Sequence, residues 1–86
     1  MNEIEIFKAL SDPTRLKILE LIKNEEKCIC EIIPETKKSQ PTISQHLRIL
    51  RNANLVKQRK EGTNIWITAS NNQIYPIIEK IQEMSK

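Results

Sequence analysis

Glycine and histidine occur once each in this 86-residue chain, as Gly62 and His46, and cysteine only twice, as Cys28 and Cys30. A single glycine leaves no glycine-rich loop to cradle a phosphate. One histidine, cysteines with no evident base beside them and no carboxylate pair across a recognisable cleft give no catalytic constellation, so the chain does not read as an enzyme. Two cysteines one residue apart are no disulfide scaffold, and a bridge between them within one chain would demand strongly distorted geometry. Phe7, Trp66 and Tyr75 are the only aromatics. The core must therefore be aliphatic, and a stacking platform for single-stranded nucleic acid, which wants several exposed rings, is not expected; Trp66 reads as a packing residue. No apolar run reaches the roughly 18 residues of a membrane span. The start of the chain is acidic and amphipathic, unlike a secretion signal, so a cytoplasmic protein with no membrane partner is expected. Repeats and low-complexity segments are absent as well.

Acid is missing from one long interval. Residues 36–60 hold seven basic residues, Lys37, Lys38, Arg48, Arg51, Lys57, Arg59 and Lys60, and no aspartate or glutamate. The other seven basic residues share the rest of the chain with all eleven acids, so the modest net charge of +3 conceals a basic segment. Within it, residues 39–55 read as a helix. Ser39 suits an N-cap and Pro41 the first turn. Ile43, Leu47 and Leu50 recur at i, i+4 and i+7 on one face. Pro41, Gln45, Arg48 and Asn52 then lie opposite, flanked by Thr42 and Ser44. A polar helix face inside a basic segment is the footprint of nucleic-acid binding.

The remaining elements fall around that helix. Residues 2–10 form a short amphipathic helix with Ile4, Ile6, Phe7 and Leu10 as its apolar positions. Asp12 and Pro13 start a second helix, expected to run to about Asn24, with Leu16, Leu19 and Ile22 inward beside Ile18 and Leu21, and with Arg15, Lys17, Glu20 and Lys23 wet. Residues 24–27 read as a polar connection. Residues 28–33 form a short helix with Ile29, Ile32 and Ile33 inward, ended or bent by Pro34. Two short helices joined by residues 35–38 make a helix-turn-helix over about 28–53. Beta-branched runs around Gly62, Thr63 and Asn64 then predict a hairpin wing over about 56–68, carrying Lys57, Arg59 and Lys60. A last helix starts near Gln73, with Ile74, Ile77, Ile78, Ile81 and Met84 on one face. That face either completes its own core or pairs with a second copy. The fold expected is one domain, 1–86, mostly α with a β-hairpin wing: a winged helix-turn-helix, homodimeric through its first and last helices at Ile4, Phe7, Ile74, Ile77, Ile78 and Ile81.

Four blocks together resemble the ArsR/SmtB family of winged-helix repressors. They are residues 10–19 (Leu-Ser-Asp-Pro-Thr-Arg-Leu-Lys-Ile-Leu), residues 28–31 (Cys-Ile-Cys-Glu), residues 39–51 (Ser-Gln-Pro-Thr-Ile-Ser-Gln-His-Leu-Arg-Ile-Leu-Arg), and Leu55 and Val56 with residues 59–62 (Arg-Lys-Glu-Gly). They span nearly the whole chain in order. The resemblance implies a homodimer that holds a palindromic duplex operator and releases it when an inducing metal or metalloid ion binds. It places DNA contacts at Ser39, Gln40, Thr42, Ser44, Gln45 and Arg48, and wing contacts at Arg59, Lys60 and Thr63. His46 matches a usual family histidine and, alone on its helix, reads as packed or phosphate-linked rather than as a metal ligand.

Cys28 and Cys30 are the chemically distinctive pair. On an ideal helix, residues i and i+2 point about 200° apart, so they converge on one ion only if the turn is frayed. Thiolates form more readily at a helix start and prefer soft ions. The family implies an arsenite or antimonite site there, with three thiolates around the ion. This chain has two cysteines, and Ile33 stands where the third often lies, so an external thiol or water would complete the set. The zinc-type site of the family's last helix would have only Glu79 and Glu83. No cofactor is obligatory; As(III), Sb(III) or another thiophilic ion is the expected effector. A thiol redox switch, through a disulfide between subunits, and cysteines that merely pack both remain open. A protein-interaction module on the same fold fits the acid-free interval poorly.

Overall fold

The computed structural model describes residues 3–86. Its elements are α1 (Glu3–Leu10), α2 (Pro13–Leu21), β1 (Lys27–Cys28), α3 (Ile29–Thr36), α4 (Gln40–Asn52), β2 (Val56–Glu61), β3 (Asn64–Ala69) and α5 (Ile74–Met84). Asn2, expected to open the first helix, lies outside the described residues. The expected helices and hairpin form, and a short strand, β1, joins them. It turns the hairpin into a three-stranded antiparallel sheet in the order β1-β3-β2. Residues 24–27 are therefore more than a polar connection, because Lys27 pairs with Ile67 and Cys28 with Trp66.

Helix starts follow local chemistry. The Asp12 carboxylate accepts the amides of Thr14 at 2.8 Å and Arg15 at 3.1 Å, and Pro13 follows at the first helical position, where a missing N–H is harmless. Partial burial acts to raise the Asp12 pKa. The Arg15 amide, the charges of His46 and Arg15 and the Thr14 amide outweigh it and hold the carboxyl below its ordinary value. Ser39 Oγ caps α4 by accepting from the Thr42 amide. α3 ends on Lys37 in the left-handed region, at φ 58°, and this lysine fills the role a glycine often takes. Gly62, at φ 63°, does the same at the hairpin turn, where Glu61 pairs with Asn64.

The core is aliphatic. Ile18, Leu19, Ile22, Ile32, Ile43, Leu47, Leu50, Leu55 and Ile67 are the large side chains fully buried in it, each contributing about 1.5–3 kcal/mol relative to exposure. α2 differs in detail from its sequence reading. It stops at Leu21, Leu16 lies outside on the solvent face, and Arg15 folds inward instead of staying wet. α3 continues through Pro34 to Thr36 instead of ending there. A proline at this point has no amide to offer the Cys30 carbonyl four residues earlier, so the first turn of α3 is the less tightly bonded one. The end of α3 is secured instead by Thr36 Oγ1, which donates to the Ile32 carbonyl at 2.9 Å, and by the Lys37 amide, which donates to Ile33.

α5 docks through its first turn. Ile74 and Tyr75 are buried, and the Tyr75 hydroxyl donates to the Leu19 carbonyl at 2.7 Å. That carbonyl belongs to the last turn of α2, which has no helical amide left to accept from. Burial pushes the Tyr75 pKa up to about 12. Ile74, expected on a dimer face, thus belongs to the protomer's own core. Ile78 is half-buried against that core, while Ile77, Ile81 and Met84 face outward together with Ile4 and Phe7 of α1.

Candidate nucleic-acid interface and thiol pair

α4 presents the face its sequence predicts. Ile43, Leu47 and Leu50 are buried, so Gln40, Pro41, Thr42, Ser44, Gln45, Arg48 and Asn52 are left exposed. Ser39 Oγ also donates to Thr42 Oγ1 at 3.0 Å, which orders the start of this face. An open hollow of about 480 Å³ runs over it, walled by Pro41, Ser44, Gln45, Arg48 and Arg51. Arg51 was not among the expected contact residues. Its guanidinium donates to Gln58 Oε1 of β2, so it braces the helix against the wing while forming part of the wall. The acid-free interval contained that signal, since Arg51 lies one turn beyond Arg48.

Strand alternation divides the wing. Val56 is buried and Gln58 meets Arg51, so the even-numbered positions, Lys60 included, lie on the α4 side of β2. Lys60 and Thr63 are exposed at the tip. Arg59 points to the other face. It donates to Glu26 at 2.7 Å and to Glu61 at 3.1 Å, and its guanidinium lies 5.8 Å from the Trp66 ring. Its charge is paired with two carboxylates at the surface, with which a phosphate contact would have to compete. Sequence alone did not show this, since Glu26 is brought in by β1.

His46, on α4, is half-buried. Arg15 Nη1 donates to its Nδ1 at 3.0 Å, and Asp12 Oδ2 lies 3.9 Å away. Arginine can only donate, so this contact is a hydrogen bond when Nδ1 carries no proton. Arg15 also donates through Nε to the Ala9 carbonyl at 2.8 Å and through Nη2 to the Lys8 carbonyl at 3.2 Å. One side chain thereby closes the C-terminus of α1 and holds α4 against it, and His46 acts as a packed residue.

The cysteines converge. Cys28 is the N-cap of α3, in extended conformation at φ −72° and ψ 147°, and Cys30 stands in the first turn. Their Cα atoms are 5.1 Å apart and their sulfurs are in contact, close enough to bond within one chain. The helical separation of about 200° does not apply, because only Cys30 lies on the helix. The convergence that the sequence allowed only at a frayed helix start is met here by Cys28 standing before the helix. Cys28 Sγ accepts from the Cys30 amide, and Glu31 Oε1 accepts from the Cys28 amide at 2.9 Å, completing a capping box. Cys28 is buried and Cys30 exposed. A hollow of about 420 Å³ opens beside Cys30. Among the described residues, no group of three or more histidine, cysteine or acidic side chains is placed to hold a metal ion. Reduced, the pair would present two thiols. On α5, Glu79 is paired with Lys23 and Glu83 with Lys80.

Residues 12–58 match the family described as "Bacterial regulatory protein, arsR family". The chain is 51% identical over 81 residues to an uncharacterized HTH-type transcriptional regulator of Methanocaldococcus jannaschii, covering 93% of this chain and 91% of that one. It is 37% identical over 76 residues to an arsenical resistance operon repressor of Staphylococcus aureus, covering 88% of this chain and 73% of the repressor. Its fold is similar to a homodimeric winged helix-turn-helix DNA-binding domain from Mycobacterium bovis, described as a possible ArsR-family transcriptional regulator. The TM-score is 0.83 at 27% identity, over 95% of this chain and 76% of that one.

Proposed function

The chain belongs to the arsR family of bacterial regulatory proteins, and from that premise we propose a repressor that grips a duplex operator as a homodimer and lets go when a thiophilic ligand closes on Cys28 and Cys30. It works where the DNA is, in the cytoplasm. The supporting observation is the juxtaposition of the two sites. The exposed polar face of α4 is backed by the same core that holds α3, and the thiol pair forms the cap of α3. Gln40, Thr42, Ser44, Gln45 and Arg48 enter the major groove, with Arg48 reading a base edge, while Lys60 and Thr63 follow phosphates. The exposed apolar residues of α1 and α5 close the twofold and set the spacing of the two α4 faces.

Release follows from cap chemistry. A ligand on both sulfurs takes Cys28 Sγ away from the Cys30 amide and pulls on a first turn that Pro34 leaves short of one hydrogen bond. Caps are worth about 0.5–2 kcal/mol. That is of the size of ordinary allosteric coupling, about 1–3 kcal/mol or roughly 5–150-fold in affinity.

The test is operator binding by the reduced protein with and without arsenite, in the wild type and in Cys28→Ser and Cys30→Ser. Serine is itself a good N-cap, so Cys28→Ser keeps the helix start and removes only the thiol. Weakened DNA binding in the wild type and unchanged binding in both variants is the expected result; equal release in all three proteins would remove the cysteines from the mechanism.

A second reading is favoured by the contact between the two sulfurs of one chain. Oxidation of the dithiol, with two electrons and two protons passing to an oxidant such as a peroxide, would lock the same turn. Operator release by peroxide that a reductant reverses would establish it.

A further inference from the structure

α1 and α4 are bonded to the same guanidinium. Arg15 gives Nε to the Ala9 carbonyl and Nη2 to the Lys8 carbonyl, both in the last turn of α1, and Nη1 to His46 Nδ1 on α4. The residue four on from Ala9 is Pro13, which has no amide, so Arg15 takes the place of the missing helical donor. An eight-residue helix does not persist without such tertiary bonds. The third bond differs from the other two. A carbonyl accepts at any pH, but an imidazole nitrogen accepts only while it carries no proton. Histidine is the side chain whose charge ordinarily changes between about pH 5 and 8.

The surroundings of His46 make a gained proton costly to this arrangement. Its side chain is 17% exposed. At about 100° per residue it stands roughly 130° around α4 from the middle of the polar face, at the edge of the buried stripe. A charge there faces the protein, not a groove. On α2 the ring meets the Arg15 guanidinium and, at 3.9 Å, Asp12 Oδ2. That carboxylate caps the Thr14 and Arg15 amides and is held below its ordinary value, so it stays charged across this range. α1 brings the charged side chains Glu3, Glu5 and Lys8, all exposed. α3, with Glu31 and Glu35, and β2, with Lys57, Arg59, Lys60 and Glu61, also pack on α4. Among the described residues, neither sends a hydrogen bond or ion pair to the ring. Protonation therefore sets two cations against each other, ends the Arg15 bond and turns the ring toward the carboxylate that caps α2.

We infer that Arg15 and His46 are positioning residues that fix the polar face of α4 relative to α1, and that they do so only while the His46 ring is uncharged, so that operator affinity falls as the pH falls. The inference rests on the proposed reading of α4 as the DNA-contacting helix and of α1 as part of the twofold interface. It makes neither side chain a DNA contact and is independent of the cysteines.

The test uses the full chain, reduced, and a duplex selected on the wild type from a random-sequence pool near neutral pH. Affinity is read by fluorescence anisotropy at fixed salt, near pH 7.5 and again near pH 5.5, where histidine is the side chain that ordinarily titrates. The chain has one. The expected result is about ten-fold weaker wild-type binding at the lower pH, within the usual range of coupling between sites. His46→Asn sets an amide oxygen at the place of Nδ1 and gains no proton, so it should bind equally at both pH values. His46→Leu fills the space without an acceptor and should bind more weakly than His46→Asn at both. Circular dichroism confirms that each variant is folded. The ring-proton resonances of the single histidine give a second readout. By reciprocity, operator should make the ring harder to protonate, whereas phosphates beside it would make it easier. A pH-dependent loss of the same size in His46→Asn would overturn the inference and leave operator binding intact, as would a ring that operator makes easier to protonate. A pool from which the wild type selects no sequence would overturn the reading of α4 itself, and the inference with it.

Discussion

α4 and α5 carry the same kind of apolar stripe and treat it oppositely. In α4, Ile43, Leu47 and Leu50 are at most 1% exposed, whereas in α5, Ile77, Ile81 and Met84 are 50, 47 and 82% exposed. The starts differ too. Ser39 caps α4, while Gln73 makes no capping bond with its side chain and α5 is anchored by Ile74 and Tyr75. Helical periodicity reports that a face is apolar, not what covers it. The stripe of α4 is covered by its own chain, which leaves the opposite, polar side exposed. The stripe of α5 is half uncovered, and Ile4 and Phe7 of α1 are exposed as well; exposed apolar side chains in such numbers are what interaction sites carry.

The contrast is sharpest at Leu47. Leu47→Ala should cost about 2–5 kcal/mol in chemical denaturation through the cavity it leaves. Met84→Ala, on the exposed stripe, should stay within about 0.5 kcal/mol. These values hold for the dissociated chain; a comparable loss at Met84 that does not vary with protein concentration would mean that α5 is covered within the protomer after all. On the DNA side of α4, Arg48→Ala should weaken operator binding by about 1–3 kcal/mol and random duplex by less, read by fluorescence anisotropy. Equal losses on both would make Arg48 a phosphate contact.

Asp12→Ala should cost about 1 kcal/mol at neutral pH by removing the cap of α2. The Asp12 carboxyl is held below its ordinary value when folded. Its stabilisation is therefore present above the unfolded value, near pH 4, and drains away as the pH falls through the lower folded value. Denaturation at pH 7 and again near pH 3 should show the gap between wild type and Asp12→Ala narrowing; a gap independent of pH would take the charge out of the cap. The smallest effect separates two neighbours on the wing. Lys60→Ala should reduce the slope of log affinity against log salt by about 1. Arg59→Ala should leave that slope unchanged, because Glu26 and Glu61 already hold its charge.

These neighbours also mark how far the sequence could be read. The helices, the hairpin and the polar face of α4 were legible because caps, proline positions and apolar spacing are local signals. The strand β1 was not, since two residues in a charged stretch become a strand only when β3 arrives to pair with them. The partners of Arg59 were hidden for the same reason: alternation puts it opposite Lys60, and Glu26, just before that strand, is brought beside it by the pairing of β1 with β3. Arg15 looked like a wet helix residue because its acceptors, the Ala9 and Lys8 carbonyls and His46, belong to two other elements. The cysteines seemed to diverge because Cys28 was placed on a helix, whereas the structure makes it the extended residue before one. Ile74 lay on the right stripe, and only tertiary packing showed that the protomer keeps it.

The central claim is that a second copy of the chain covers the uncovered stripe of α5 and thereby sets two α4 faces on one operator. Sedimentation velocity of the wild type and of an Ile77→Glu/Ile81→Glu variant, each with and without operator duplex, tests it most directly. The account predicts a wild-type dimer that binds one operator, and a folded monomeric variant that has lost most of its operator affinity. A wild type that remains monomeric on a saturated operator, or a variant that still sediments as a dimer, would contradict it.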